Sequence, residues 1–327
     1  MSTSAVTPER APTLSPHSHD GPTADPAWVD ACVDVFGLVD RSVEVEGAWA
    51  PLSLDGGRLE LIGTSRIFEP MDLQWRDDRA LEELVDAVAL TRRPLRLFRL
   101  PASSPALPVL RDRLPLAIER DASACPVLHL DDEPERLLSS RRRQDLRRAR
   151  RRAEGYGTPA AEVCEPSAGE ADALIDRAFA IESRSWKARA GTALAVDRPL
   201  GAFYRTYARA AAAAGTLRLA FLTLGGTDAA MQVAVERGDA LWLLKIGYDE
   251  RFASCSPGQL LMAHTLTWSA ERGLDRYEFL GTASTWTRWW TREEWACRTL
   301  HAYPPTPRGG LSAAVDGARR LRRLVRR

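Results

Sequence analysis

Between Thr216 and Leu280 the element signals follow one another so closely that few folds accommodate them. Three apolar runs, Thr216–Leu224, Ala229–Val235 and Ala240–Ile246, are separated only by "GGTD" and by "ERGD" with its "RGD" turn. Turns that short join strands in hairpins, so the run reads as a β-meander. The loop "GYDERFASCS" then leads into "PGQLLMAHTLTWSAERG", a helix with signals at both ends. Ser256 is placed to cap it, Pro257 is preset for the first helical position, and Gly273 stands where a terminating glycine belongs. Arg276–Leu280 follows at once as a strand. A helix linking two strands of one sheet makes them parallel, so this last strand is predicted to run beside the third strand of the meander.

Upstream, Trp28–Phe36 and Ala80–Leu90 have helical apolar spacing, and Leu59–Ile62, Leu95–Leu100 and Val127–Leu130 read as short buried strands. This alternation predicts a small α/β unit ending near Asp132. A further helix is predicted over Glu170–Ser183. Met1–Asp25 is rich in Ser, Thr, Pro and His and reads as a disordered tail. The expected division is therefore a tail over 1–25, one unit over 26–135, a second over 136–306, and a basic helical tail over 307–327.

The second unit opens with "SSRRRQDLRRARRRAEGYG", in which eight arginines fall between Arg141 and Arg152. Leu146, Ala149 and Ala153 recur at helical spacing, so the segment reads as a helix with a narrow apolar stripe. Its cationic faces stand out against a chain whose 45 basic and 44 acidic residues nearly cancel. Arginine is also the default cation here: Lys187 and Lys245 are the only lysines, and asparagine is absent. No DNA-reading motif accompanies the basic helix, so duplex DNA is not an expected partner. The five cysteines form no CxxC pair, and no metal-binding motif is present, so neither a disulfide framework nor a metal is expected. No secretory layout opens the chain, and the expected location is cytoplasmic. "ARRLRRLVRR" near the C-terminus is a second basic amphipathic segment, from which weak association with anionic membranes is expected.

Four stretches, "RRRQDLRRARRRAEGYG", "IESRSWKARAGTAL", "LWLLKIGYDERFASCSPGQLL" and "GLDRYEFLG", together resemble the GNAT-type N-acyltransferases associated with cellulose biosynthesis (CelD-like), a group similar to the Fem peptidyltransferases. The resemblance spans roughly residues 25–299. It implies an α/β (α+β) fold of two tandem GNAT-like units, each a mixed, mostly antiparallel sheet flanked by helices, with acyl-CoA bound by the second. The pantetheine arm would lie along the strand ending at Ile246, Gly247 and Tyr248. The pyrophosphate would sit at Ser256, Pro257, Gly258, Gln259 and Leu260, where helix amides and the dipole favour an anion. One departure is visible: where the resembled sequences carry "YK" after the "FLG" strand, this chain has Trp286 and Thr287, then Arg288.

Acyl transfer to an amine needs a proton acceptor and donors for the developing negative charge. Glu182 and Asp249 are the candidate bases, and Tyr248 could return a proton to the leaving thiolate. Trp186 and Lys187 match the "SWK" of the resembled family and, with Arg148 and Arg151, are the candidate acceptor contacts. Cys255, beside the helix start, is a weaker nucleophile candidate, and His264 reads as a packed core histidine. No GxSxG, HExxH or P-loop occurs. The expected activity is transfer of an acetyl or other acyl group from acyl-CoA to a small-molecule amine or amino sugar. The alternatives are a Fem-like transferase using aminoacyl-tRNA, or a non-catalytic protein binding RNA or anionic membranes.

Overall fold

A computed structural model of the 327-residue chain describes residues 21–131, 133–185 and 194–325. In chain order the elements are α1 (Pro26–Phe36), β1 (Val39–Asp40), β2 (Val43–Val45), β3 (Ala48–Ala50), β4 (Leu52–Asp55), β5 (Arg58–Leu61), α2 (Thr64–Ile67), β6 (Gln74–Trp75), α3 (Asp78–Leu90), β7 (Leu95–Pro101), α4 (Ala106–Arg113) and β8 (Ile118–His129). They continue with α5 (Ser140–Glu154), β9 (Pro159–Cys164), α6 (Ala171–Glu182), α7 (Arg198–Ala213), β10 (Leu217–Leu224), β11 (Thr227–Arg237), β12 (Ala240–Tyr248), α8 (Pro257–Glu271), β13 (Arg276–Glu278), β14 (Glu294–Ala302) and α9 (Pro307–Val325).

The chain forms two compact units, 1–123 with 296–327 and 124–295. This differs from the expected boundary at 135 and from the expected separate tail over 307–327. The reason is long-range pairing that local patterning does not reveal: the end of β8 pairs with β13, Val127 opposite Glu278, and so belongs to the second unit. Strand β14 pairs antiparallel with β7, Cys297 opposite Pro101 and Ala302 opposite Leu95, and so returns the chain to the first unit. Residues 22–24, expected in the disordered tail, form a buried 3₁₀ turn. In the first unit β1, β4, β5, β7 and β14 lie in that order, with only β5 and β7 parallel. Strands β2, β3 and β6 form a small sheet of their own.

The second unit is built on the predicted meander. Strands β9, β10, β11 and β12 are successively antiparallel, and β13 pairs parallel with β12 after the α8 crossover. The end of β8 then pairs antiparallel with β13. The architecture is thus mixed α/β, with mostly antiparallel pairing in each unit. On one face of this sheet Leu146, Ala149 and Ala153 of α5 and Leu260, Leu261, Ala263 and Leu266 of α8 pack on Leu222, Leu241, Leu243 and Tyr277. The apolar stripe read from the Arg-rich segment is therefore the buried one, and Ser139 caps that helix by accepting from the Arg142 amide.

Two local features shape the site. Val233 opposes Lys245 and Ala234 opposes Leu243, so Leu244 is an extra residue on β12 and makes a bulge. The bulge resets the inward–outward alternation. Leu241 and Leu243 face the α8 core before it, and Ile246 and Tyr248 do so after it. Gly247 instead packs on α6, where an added Cβ would lie 3.1 Å from Glu182 Cβ and from Met231 Cε. Pairing of β12 with β13 stops at Trp242 opposite Glu278, so β12 continues past the end of its neighbour.

Candidate active site

A cavity of about 480 Å³ occupies the second unit where β12 outruns β13. Ile246, Gly247 and Tyr248 of β12, Met231 and Gln232 of β11, the start of α8 from Ser256 to Gln259, Met262, Trp286 and Trp290 line it. Gln232 is a buried polar residue in an otherwise apolar strand. Its Oε1 accepts from the Tyr277 hydroxyl at 3.0 Å, which fixes the amide in the cavity wall.

The start of α8 differs from the expected capped helix. Ser256 is left-handed (φ 51°, ψ 55°), and its side chain makes no capping hydrogen bond. An N-cap ordinarily has extended backbone. The Ser256 carbonyl, not its hydroxyl, serves the first turn, accepting from the Gln259 amide at 2.9 Å and the Leu260 amide at 3.2 Å. The Gly258 amide is one of the helix-end donors that intrahelical bonding leaves over. A Cβ on Gly258 would meet only Tyr248 Cδ1, at 3.8 Å, so the helix end opens on space. Two polar atoms in this wall, Gln259 Oε1 and Trp290 Nε1, are buried without a hydrogen-bond partner among the described residues. One is an acceptor and the other a donor, the complement of an amide group.

The candidate residues separate into those the cavity gathers and those it does not. Ile246, Gly247, Tyr248, Ser256, Pro257, Gly258 and Gln259 all line it. Leu260 is turned into the core. Glu182 is also buried away from the cavity wall, its Oε2 accepting from the Leu194 amide at 2.8 Å. Asp249 is fully buried. Burial pushes its carboxyl up, but hydrogen bonds from the Arg251 side chain and amide and from Arg184 outweigh this and hold it at about 2. Such a carboxylate is a weak base at neutral pH. It caps the 3₁₀ turn Glu250–Cys255, and its geometry is that of an anchor.

Tyr248 is the only ionisable side chain among the described lining residues. Cys255 is buried, its thiol donates to the Phe252 carbonyl at 3.1 Å, and burial pushes its pKa up, against a thiolate role. His264 is half-buried, and burial lowers its pKa. Lys245 places its ammonium 4.8 Å from the centre of the Tyr204 ring. Trp186 and Lys187 lie outside the described residues. No cluster of potential metal ligands occurs among the described residues.

A second groove, of about 320 Å³, adjoins the cavity through Ser256 and Gln259 and is lined by Asp145, Arg148, Arg152 and Trp289. Arg148 thus reaches the site's margin, whereas Arg151 is exposed elsewhere on α5. Arg142 donates to the Arg288 carbonyl at 2.8 Å, tying α5 to the segment that carries the tryptophans. Trp286, which stands where the resembled family has tyrosine, is a wall residue packed edge-on to Phe279 at 5.7 Å. Gln232 and Trp290 were not singled out from sequence. A glutamine inside "AAMQVAV" is a signal that would have found the first; the second depends on tertiary placement.

Residues 140–288 match the family described as acetyltransferase (GNAT) domain. The match lies wholly within the second unit, which is thus similar to a GNAT-type domain. No curated protein matches the sequence. Among solved structures, the C-terminal domain of a protein described as a lysylphosphatidylglycerol synthetase from Agrobacterium fabrum is similar, with TM-score 0.60, 12% identity, and coverage of 90% of this chain and 91% of that one. L-PGS from Bacillus licheniformis has TM-score 0.58 at 13% identity, covering 88% and 94%. FemX has TM-score 0.57 at 11% identity, covering 84% and 90%. At these identities the likeness is one of fold. The GNAT-like fold expected from the sequence is present, and the likeness to Fem-type and synthetase domains runs through both units; the CelD-like subtype has no counterpart among these matches.

Proposed function

We propose that this protein is an acyl-CoA-dependent N-acyltransferase acting on the amine of a small molecule or amino sugar. The observation that carries the reading is the cavity beyond Trp242, bounded by the overrunning strand β12 on one side and the open start of α8 at Gly258 on the other. An extended arm ending in a diphosphate fits that pairing of a strand edge with a helix end. Gly258 and Ser256 would hold the phosphates, and Ile246–Tyr248 the arm. Gln259 Oε1 and Trp290 Nε1 would gain partners from the arm's amide groups.

The thioester supplies an acyl group already activated for attack. The chain's own contribution is to place the reactants, keep water out with Met231, Met262, Trp286 and Trp290, and manage one proton. Among the described lining residues no carboxylate or imidazole stands ready as base, so the amine must reach the site neutral or lose its proton to water. Tyr248 is the group in the wall able to hold a proton for the departing sulfur.

Calorimetry with acetyl-CoA, followed by a thiol-release assay over a panel of amines, tests the reading. Binding is expected without RNA, and Tyr248→Phe is expected to lower kcat by about 100-fold or more with KM little changed. Absence of binding at millimolar acetyl-CoA would overturn it.

A second reading, an aminoacyl-tRNA donor, is favoured by one observation. Arg141, Arg147, Arg151 and Arg152 of α5 are exposed and have no carboxylate partner among the described residues, although arginines such as Arg177, Arg209, Arg218 and Arg272 are paired. Such a face raises the local concentration of a polyanion. Transfer that requires charged tRNA and is abolished by ribonuclease would establish this reading over the first.

A further inference from the structure

The C-terminal helix α9 is docked with its amphipathicity reversed. Its inward side is small and polar: Gly309 and Asp316 are buried, and Ser312 and Ala313 half-buried. Gly309 lies so close to the chain that an added Cβ would collide with the Pro304 carbonyl. The Asp316 carboxylate accepts from Arg58 at 2.9 Å and from the Tyr303 hydroxyl at 2.8 Å, with His301 Nδ1 3.5 Å away. Arg58 also donates to the Ser312 hydroxyl at 3.1 Å. These contacts fix the rotation of the helix about its axis.

The apolar residues consequently face outward. Leu311, Ala314, Val315, Ala318 and Leu321 fall on one helical face, and Leu311, Val315 and Leu321 are 68%, 38% and 65% exposed. A surface helix ordinarily turns such a stripe to the core. Arg308, Arg319 and Arg322 are exposed on or beside it without carboxylate partners among the described residues. Residues 307–327 hold seven arginines and one acid, Asp316, which is engaged inside. No helix among the described residues is long and apolar enough to cross a membrane, so the arrangement is one that lies on a surface.

We propose that the outward face of α9 is a docking surface for an anionic lipid bilayer, with Leu311, Val315 and Leu321 entering the headgroup boundary and the arginines meeting lipid phosphates. Charge selects this occupant. A second copy of the chain would set seven arginines against seven, whereas an anionic surface neutralises them. The proposal is independent of the acyl donor and of the cavity in the other unit.

Vesicle flotation of the full chain tests it, with phosphatidylcholine vesicles containing 30% phosphatidylglycerol against pure phosphatidylcholine. The wild type should float with the anionic vesicles, lose binding as salt rises, and stay behind with the neutral ones. Leu311→Ser with Leu321→Ser should weaken binding by about 100-fold through lost apolar burial. Arg308→Gln with Arg319→Gln and Arg322→Gln should weaken it by a similar factor, about fivefold for each charge. All five side chains are exposed, so an unchanged Tm is expected and is measured alongside. Failure of the wild type to float with anionic vesicles would overturn the proposal, as would equal binding to neutral ones. Concentration-dependent self-association that the leucine changes abolish would also overturn it, by assigning the face to a second copy.

Discussion

Replacing Gly258 by Asp separates the fold from the ligand, because the two should respond in opposite directions. The new Cβ meets only Tyr248 Cδ1 at 3.8 Å, an ordinary contact. The residue is second in α8, where a carboxylate gains about 0.3–1 kcal/mol from the helix dipole. The Tm should therefore hold or rise slightly. A ligand phosphate about 5 Å from that carboxylate would be repelled by about 3 kcal/mol per pair of unit charges at an effective dielectric near 20. That corresponds to a Kd raised by about 100-fold. Calorimetric titration with acetyl-CoA reads the effect, and part of the loss should be recovered at higher salt, where screening shortens the repulsion. Gly258→Ala is the control, adding bulk without charge, and should weaken binding far less. Unchanged affinity in Gly258→Asp would show that no phosphate approaches this helix end. A large drop in Tm would show that the space seen beside Gly258 is not there.

Two further outcomes follow from packing and charge around the same strand. Gly247→Ala sets a Cβ 3.1 Å from Glu182 Cβ and Met231 Cε and 3.2 Å from Glu182 Cα, so α6 must shift; a loss of about 1–3 kcal/mol in chemical denaturation is expected. The Asp249 carboxyl is held at about 2 against an ordinary 3.8, so it contributes stability that is complete above about pH 4 and lost as pH falls towards 2. The stability difference between wild type and Asp249→Asn should accordingly shrink by about 2 kcal/mol between pH 5 and pH 2, and a difference that is constant with pH would remove the arginine-held carboxylate from the account.

What the sequence disclosed was local. The meander, the α8 crossover with Gly273 at its end, and the buried stripe Leu146, Ala149 and Ala153 each depend on spacing within a few residues, and each is found where expected. Ile246–Tyr248 and Ser256–Gln259 line one cavity for the same local reason, since one strand end and one helix start supply them. Features that depend on distant partners were not. Ser256 looked like a cap from its side chain, yet its left-handed backbone is imposed by the junction of the 3₁₀ turn with α8. Asp249 looked like a turn-borne base until Arg184, 65 residues earlier in the chain, met it. Glu182 has the chemistry of a base but is buried beside Leu194. The unit boundaries moved because β8 pairs with β13 across about 150 residues and β14 with β7 across about 200, spans that no window of sequence contains. Helix α7 is a different case: Asp197, Pro199 and the spacing of Phe203, Tyr207 and Ala211 were present as local signals and can be recognised in retrospect.

Leu244 gives the second unit more than a kink. Opposite an unbroken partner, a strand one residue too long cannot keep its side chains in step, and here the mismatch hands Ile246 and Tyr248 to one layer and Gly247 to the other. A hollow for a guest and a snug seat for a helix thus come from a single miscount between neighbours. Trimming that surplus residue would restore the count, and the same letters that now frame an opening would be left facing the wrong way to frame anything.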